Sequence, residues 1–316
     1  MSSSPGHPPE TWAPPGDRLP LLRCRRFSLD VSARTRIMGV LNVTPDSFSD
    51  GGRYLDPGRA VEHAHQMVEE GADLIDVGGE STRPGSLPVS AEEELRRILP
   101  PLRHLVDKLP VPVSVDTTKA DVAAAVLAEG ADLINDISGL GFDPRVASVV
   151  AGAGAGLILG HIRGTPRTMQ QDLRYTDLLV DVREYLKERI LLAETAGVHP
   201  EAIMVDPGIG FGKSVEHNLL LLKCLPALHG LKKPILVGPS RKSFIGKVLD
   251  LPVEERGEGT AAAVAVAIWQ GAHIVRVHDV RSMVRVARMT QAIREAGALS
   301  TCRGVLEHES IDIGER

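Results

Sequence analysis

The sequence predicts a single-domain α/β fold, a closed (β/α)8 barrel (TIM barrel), on three observations. Eight short runs rich in aliphatic and β-branched residues alternate with longer segments of helical periodicity. These runs are apolar almost throughout, as is typical of parallel strands buried on both faces. The segment that holds them has the usual length of such a barrel, about 250 residues. A doubly wound open sheet is the alternative fold, and periodicity alone does not exclude it.

The eight candidate strands end at turn-forming residues or at the start of a helical segment. In chain order they are RIMGVLNV (36–43), ADLIDVGG (72–79), VPVSVD (111–116), ADLINDI (131–137), GLILGHI (156–162), AIMVDPG (202–208), PILVGPS (234–240) and HIVRVHD (273–279). Ahead of them, RFSLDVSARTR (26–36) is predicted to form a small hairpin that closes the bottom of the barrel.

The segments between the candidate strands carry apolar residues at i, i+3 and i+4 spacing, which predicts crossover helices. They are 60–70, 92–109, 121–129, 178–196, 215–228 and 261–270. Pro, Gly and Ser are frequent in residues 1–22, and residues 299–316 are largely polar. We therefore expect a disordered leader (1–22), a barrel domain (23–298) and a disordered tail (299–316).

Composition and charge exclude several classes of protein. The apolar fraction of 43% is sufficient for a large core, and the net charge of −5 argues against a general nucleic-acid binder. Three widely separated cysteines form no C-x-x-C pair, so neither a disulfide framework nor a zinc site is predicted, and a reducing cytoplasm is the expected compartment. The sequence has no run of membrane-spanning length.

Polar residues stand at or near the carboxyl end of every candidate strand. They are Asn42, Asp76, Asp116, Asn135, His161, Asp206, Ser240 and the pair Arg276 and His278. One such residue is usually a turn residue or a helix cap. Since all these ends converge on one face of a barrel, eight in succession predict the active site there.

One motif imitates a nucleotide-binding loop. The sequence PGIGFGKS ends like a Walker P-loop at Lys213, but the position that requires the first glycine is Pro207. We therefore predict no P-loop in this segment.

Eight motifs, read in order, resemble the dihydropteroate synthase family of pterin-binding enzymes. They are MGVLNVTPDSFSDGG, IDVGGESTRPG, VSVDTTK, LINDISG, TPRTMQ, DPGIGFGK, GPSRKSFIG and RVHDV, within a match that runs from about Ile37 to Ala296. The resemblance implies a (β/α)8 barrel, usually a homodimer. It also implies a Mg²⁺-assisted transferase that joins 6-hydroxymethyl-7,8-dihydropterin pyrophosphate to p-aminobenzoate in folate biosynthesis. Enzymes of this family are sulfonamide targets.

The predicted pterin site lies on three strand ends. A pterin presents a row of hydrogen-bond donors and acceptors, which carboxylates and amides at fixed depth recognise. Asp116, Asn135 and Asp206 supply such groups. The resemblance makes them pterin-binding together with Lys242, and it implies that Ile137 packs on a ring face.

The predicted pyrophosphate site needs hydrogen-bond donors and a cation. Arg276 and His278 alternate on one strand and therefore point the same way. The resemblance makes these two residues, together with Asn42, Thr82 and Arg83, the pyrophosphate site, and it makes Asn42 a ligand of Mg²⁺. It implies that the residues closest to the chemistry are Asp116, Lys242, Arg276 and Asn42.

The predicted aminobenzoate site combines two loops with a helix start. Ser243 opens a candidate helix whose free N–H groups favour a carboxylate. The resemblance implies that Phe211, Pro84 and Phe48 surround the ring and that Arg241 supports the pocket. Phe48 lies with Thr44 and Asp46 in a loop that we interpret as a lid, which would exclude water from the reaction.

Two positions depart from the family pattern. Gly160 stands where Met is common, and Ile209 stands where Phe is frequent, so we expect local repacking near the pterin pocket. Pterin-binding methyltransferases and non-catalytic pterin-binding homologues are the alternative functions. The methyltransferases do not need the motifs TPDSFSDGG, STRPG and SRKS, which are all present here. A non-catalytic homologue should have lost loop or anion-binding residues, and none of these is missing from the sequence.

Overall fold

An eight-stranded parallel barrel forms the body of the computed structural model, which describes residues 21–44 and 57–296. Its strands are β3 (Arg36–Asn42), β4 (Leu74–Gly78), β5 (Val113–Asp116), β6 (Leu133–Asp136), β7 (Gly156–Gly160), β8 (Ile203–Asp206), β9 (Leu236–Val237) and β10 (Ile274–Val277). They pair in the order β8-β7-β6-β5-β4-β3-β10-β9. A parallel bridge between Val205 in β8 and Ile235, the residue directly before β9, closes the barrel. The predicted barrel is confirmed, and the open sheet is excluded.

Helices connect successive strands and cover the outside of the barrel. They are α1 (Pro57–Glu69), α2 (Ala91–Leu105), α3 (Ala120–Ala128), α4 (Arg145–Ala153), α5 (Leu178–Thr195), α6 (Val215–Lys223), α7 (Ser243–Leu249), α8 (Gly257–Trp269) and α9 (Val280–Glu295). All six segments with helical periodicity contain a helix. The helices α4, α7 and α9 lie outside these six segments. Within the described residues, no helix is long and apolar enough to cross a membrane.

A two-stranded hairpin, β1 (Leu22–Cys24) and β2 (Phe27–Leu29), closes the amino-terminal end of the barrel. Leu22, Cys24 and Val31 are buried in one cluster with inward-facing strand residues. Those strand residues are Met38, Leu74, Leu133, Ile158, Met204, Leu236 and Ile274. The hairpin was predicted, but it begins earlier than residue 26, and Leu22 belongs to the fold instead of the leader because it is fully buried in β1.

Side chains inside the barrel change from apolar to polar along the strands. In β4, Leu74 belongs to the apolar bottom cluster, whereas Asp76, two residues further on, points to the same face. Ile75 and Val77 face outward into the core between the strands and helices. The polar strand residues therefore collect in the carboxyl-terminal half of the barrel, where the site lies.

Candidate active site

Two buried carboxylates and one guanidinium lie at the centre of the carboxyl-terminal face. Arg276 Nε donates to Asp76 Oδ2 at 2.7 Å, and its Nη2 donates to Asp116 Oδ2 at 3.2 Å. Asp76 is fully buried, and Asp116 is 9% exposed. The structure thus brings together Asp116 and Arg276, both predicted, with Asp76, which the sequence placed among the strand ends without a role.

Asn135 joins this centre through its amide. Its Nδ2 donates to Asp76 Oδ2 at 2.9 Å, and the side chain is buried at the end of β6. Ile137, two residues further on, belongs to a small apolar cluster with Ile162, Met169 and Phe211, separate from the main core. An apolar wall of this kind beside polar strand ends suits a flat heterocycle.

Asp206 is the last residue of β8, and Lys242 stands directly before α7, which follows β9. Asp206 Oδ1 accepts a hydrogen bond from the Gly208 N–H at 2.7 Å, while Lys242 Nζ stands 3.9 Å from the centroid of the Phe211 ring. Gly210 has a φ of +85°, and a Cβ there would lie 2.9 Å from Lys242 Cδ, so this turn requires glycine. Phe211, which was predicted to contact aminobenzoate, thus also makes a cation–π contact with the Lys242 ammonium.

A buried lysine, Lys213, fixes the turn that carries Phe211. Its Nζ lies 2.9 Å from His161 Nδ1 and 3.0 Å from the Phe211 carbonyl oxygen. Burial lowers the pKa of Lys213 to about 7, and the nearby Asp206 carboxylate opposes this effect. Lys213 was named from the sequence only within the motif that imitates a P-loop, and its contacts with His161 and Phe211 were not predicted.

Cations surround His278 at the end of β10. Its Nδ1 lies 3.0 Å from Ser240 Oγ. Burial, together with the positive charges of Arg276, Arg241, Lys242 and Arg83, lowers the pKa of His278 to about 3. The imidazole is therefore neutral, and the four cations make this corner of the site favourable for an anion.

The remaining predicted residues lie at the rim or outside the described ranges. Arg83 and Pro84 are exposed on the loop after β4, whose Gly85 N–H donates to the Pro166 carbonyl oxygen at 2.9 Å. Ser243 is exposed at the start of α7, and Arg241 is exposed with a φ of +57°. Asp46 and Phe48 fall outside the described residues, so the lid stays a prediction.

A cavity of about 240 Å³ opens beside Asp116 and Ile137. Its wall includes Thr82, a predicted pyrophosphate residue, together with Phe142. A Lys119 ammonium bridges the carboxylates of Glu80 and Glu94 in the same wall. Sequence reasoning missed this ion-pair cluster because its members come from three separate segments.

The pKa values of three groups in the site are displaced by their surroundings. Burial raises the pKa of Asp116, assisted by the Asp76 and Glu94 carboxylates and opposed by Arg276 and Lys242. Burial also lowers the pKa of Lys242 to about 8, with Arg276 acting in the same direction. Burial likewise raises the pKa of Asp206. Shifts of this kind are common where a polar ligand takes the place of water.

Asn42, the predicted Mg²⁺ ligand, lies beside Gly78 and close to Asp116. A Cβ on Gly78 would lie 3.5 Å from Asn42 Oδ1 and 3.8 Å from Asp116 Cβ, so glycine keeps the space between these side chains open. No group of three or more His, Cys, Asp or Glu side chains able to hold a metal occurs within 21–44 and 57–296. Hard oxygen donors in small number fit Mg²⁺, which usually retains water and binds substrate phosphates.

Both positions that depart from the family pattern are closely packed. A Cβ on Gly160 would lie 2.7 Å from the Ile137 backbone, so the absence of a side chain permits close approach of β7 to that backbone. Ile209 is 1% exposed in the main core. The local repacking expected at these positions stays a prediction.

Comparisons with known proteins give a consistent result. The model of the family described as pterin binding enzyme matches residues 38–278. The dihydropteroate synthase of Synechocystis sp. is 50% identical over 265 residues, covering 84% of this chain and 92% of that protein. That of Escherichia coli K12 is 45% identical over 269 residues, covering 85% and 95%.

Solved structures agree with these relatives. The Yersinia pestis dihydropteroate synthase in complex with a sulfonamide drug has a TM-score of 0.83 at 42% identity, covering 87% of this chain and 99% of that chain. The Xanthomonas albilineans enzyme with 4-aminobenzoic acid has a TM-score of 0.81 at 43% identity, covering 87% and 98%.

Proposed function

The chain belongs to the dihydropteroate synthase family of pterin-binding enzymes, and we propose that it makes 7,8-dihydropteroate for folate biosynthesis. It is a transferase whose substrates are 6-hydroxymethyl-7,8-dihydropterin pyrophosphate and p-aminobenzoate. The assignment of roles rests on one observation. The carboxyl-terminal face of the barrel has one half that carries hydrogen-bond acceptors, the acceptor half, and another that carries cations, the cation half. Asp116, Asn135 and Asp206 form the acceptor half, and the cations around His278 form the other.

The acceptor half suits the pterin. Carboxylate and amide oxygens at three strand ends are placed to accept from the N–H groups of an aminopyrimidinone edge, and Ile137 offers an apolar contact for the ring. Lys242 contributes a donor beside them. The side chains are held before the ligand arrives, so recognition needs little reorganisation.

The cation half suits the leaving pyrophosphate. In the reaction, the bond between the pterin methylene carbon and the pyrophosphate oxygen breaks, and its electron pair goes to pyrophosphate. The aminobenzoate nitrogen then bonds to that carbon and releases a proton to solvent. Arg276 and the donors of Thr82, Arg83 and His278 would stabilise the charge that grows on the leaving group, while the Asp116 carboxylate stabilises the cationic pterin.

Mg²⁺ would bind through Asn42 and the pyrophosphate oxygens. When bound, it neutralises negative charge on the pyrophosphate. The open space beside Gly78, between Asn42 and Asp116, supports this proposal.

The aminobenzoate would lie between Phe211, Pro84 and the Phe48 lid, with its carboxylate at Ser243. The position of Ser243 in the first turn of α7 supports this, because N–H groups there lack helical partners. Phe48 enters the proposal on the family resemblance alone.

A homodimer is proposed from an apolar surface. The helices α6, α7 and α8 contact one another and expose large apolar side chains. These side chains are Leu219, Leu220, Val248, Leu249, Val266 and Trp269. A patch of this kind is typical of a protein interface.

The cytoplasm is the proposed compartment, since Cys24 is a buried free thiol.

The direct test is release of pyrophosphate by the purified chain with Mg²⁺ and both substrates, together with product mass. We expect equal amounts of pyrophosphate and 7,8-dihydropteroate, and no release when p-aminobenzoate is omitted. Pyrophosphate release without dihydropteroate would overturn the proposal.

The dependence of kcat/KM on pH should have two limbs. The raised pKa of Asp116 means that its carboxylate, which the reaction needs, is lost as the pH falls through that raised value. Lys242 loses its charge as the pH rises through about 8. We expect a bell-shaped profile for the pterin substrate, whose acid limb lies above the ordinary range of an aspartate.

The Asp116→Asn variant separates the titration of Asp116 from that of the other groups. Any acid limb that it retains comes from another group, namely Asp206, whose pKa is also raised by burial, or the pyrophosphate of the substrate. A wild-type profile with the same acid limb as this variant would contradict the assignment of that limb to Asp116.

A further inference from the structure

Asp76 connects three strands of the barrel through a single oxygen atom. It lies on β4, while its Oδ2 accepts from Arg276 Nε on β10 at 2.7 Å and from Asn135 Nδ2 on β6 at 2.9 Å. Neither β6 nor β10 is paired with β4. The roles proposed above use Arg276 and Asn135 but leave this fully buried carboxylate without a function.

We propose that Asp76 is a positioning residue that aligns the pyrophosphate half of the site with the pterin half. This inference rests on the proposed function, since it assigns Arg276 to the leaving group and Asn135 to the pterin. Asp76 acts through both residues and needs no contact with either substrate.

The first action of Asp76 is to fix the plane of the Arg276 guanidinium. An arginine side chain has several rotatable bonds, and its donors form a planar fork. Asp76 takes Nε, and Asp116 takes Nη2 at 3.2 Å, so two carboxylates hold two different donors of the same plane. The remaining N–H groups then have a defined direction and are available to an anion.

The second action of Asp76 is to set the orientation of the Asn135 amide. The oxygen and nitrogen of an asparagine amide exchange places by rotation, so its partners decide which one faces a ligand. An ionised carboxylate only accepts, and therefore it selects the orientation in which Asn135 Nδ2 faces Asp76. Asn135 Oδ1 must then point to another side, where it can accept from a pterin N–H.

Two further atoms indicate that this layer of the barrel is built for polar contacts. Asp76 and Ser114 are directly opposite in the pairing of β4 with β5. Among the described residues, Asp76 Oδ1 and Ser114 Oγ are buried and have no hydrogen-bond partner. Buried polar atoms without a partner are rare in protein cores, so this layer differs from a purely structural ion pair.

The test compares Asp76→Asn with Asp132→Asn. Asp132 is also fully buried and bound to an arginine, Arg26 at 2.9 Å, but it lies by the hairpin that closes the opposite end of the barrel. For each variant we would measure urea unfolding, kcat, the KM of each substrate, and the affinity for pterin pyrophosphate by calorimetry.

We expect Asp76→Asn to lower kcat and pterin affinity by about 10- to 100-fold each, because mispaired buried groups carry penalties of that size. The KM for p-aminobenzoate should stay within about twofold, since Asp76 does not act on that site. Asp132→Asn should lose stability and retain kcat. This division of effects separates positioning from a contribution to folding.

Three results would overturn the proposal. They are unchanged kcat and pterin affinity in Asp76→Asn, an equal loss of kcat in Asp132→Asn, or an equal rise in both KM values. If Asp76→Asn does not fold, a neutron structure of the wild-type protein with 6-hydroxymethylpterin shows the orientation of the Asn135 amide directly. The proposal requires that Asn135 Oδ1 accepts a hydrogen bond from the pterin. An amide turned the opposite way contradicts the proposal.

Failure of the proposed function is recognised separately. If the wild-type chain forms no dihydropteroate, that function is wrong, whereas the calorimetric comparison still measures whether Asp76 controls pterin binding.

Discussion

Replacing Arg276 by alanine is expected to lower kcat by about 100- to 1,000-fold, which is the usual effect of removing a charge-stabilising donor from an active site. The guanidinium faces negative charge that grows as the C–O bond breaks, so its loss affects the transition state more than the bound substrate. The pterin KM should rise much less than kcat falls. Steady-state kinetics with saturating p-aminobenzoate measures both.

This variant also leaves the Asp76 and Asp116 carboxylates without their shared cation. Breaking a buried ion pair by removing one partner destabilises a protein by about 3–5 kcal/mol, so urea unfolding must be measured beside activity. Arg26→Ala is the matched control, since Arg26 pairs with the buried Asp132 by the closing hairpin and should leave kcat unchanged. If Arg276→Ala keeps its turnover and loses only pterin affinity, the assignment of Arg276 to the leaving group is wrong.

Replacing Asp206 by asparagine is expected to weaken pterin binding by about 10- to 100-fold while the fold is retained. Two acceptor oxygens become one acceptor and one donor, and that donor faces the N–H edge of the pterin. The fold should persist because the new amide oxygen can still accept from the Gly208 N–H. Titration calorimetry with pterin pyrophosphate measures the loss directly.

The Asp132→Asn variant serves as the control for Asp206→Asn, because it removes the charge of another buried carboxylate far from the site. Unchanged pterin affinity in Asp206→Asn would remove this residue from the pterin site. An equal loss of affinity in both variants would indicate a general loss of structure.

The sequence predicted the barrel and most of the polar site for a clear physical reason. Strands buried on both faces are apolar, so a polar residue such as Asp116 or Asn135 at a strand end is conspicuous, and the closed topology brings such ends together. The hairpin was predicted too, but its first strand was not, because the alternation of Leu22, Arg23 and Cys24 is only three residues long.

The contacts of Asp76 with Arg276 and Asn135 were not predictable from sequence. Asp76 and Arg276 are 200 positions apart, and their contact depends on the depth of each residue in the barrel. The same holds for Lys213, whose partner His161 comes from another strand end. Residue type and spacing identify the strand ends, whereas the choice of partner is set by the closed sheet.

A crystal structure with bound pterin pyrophosphate tests the central claim of an acceptor half beside a cation half. The account predicts that the pterin edge bonds to Asp206 and Asn135 and that the pyrophosphate lies against Arg276 and His278. A pterin that makes no contact with Asp206 and Asn135, or a pyrophosphate away from Arg276, would contradict it.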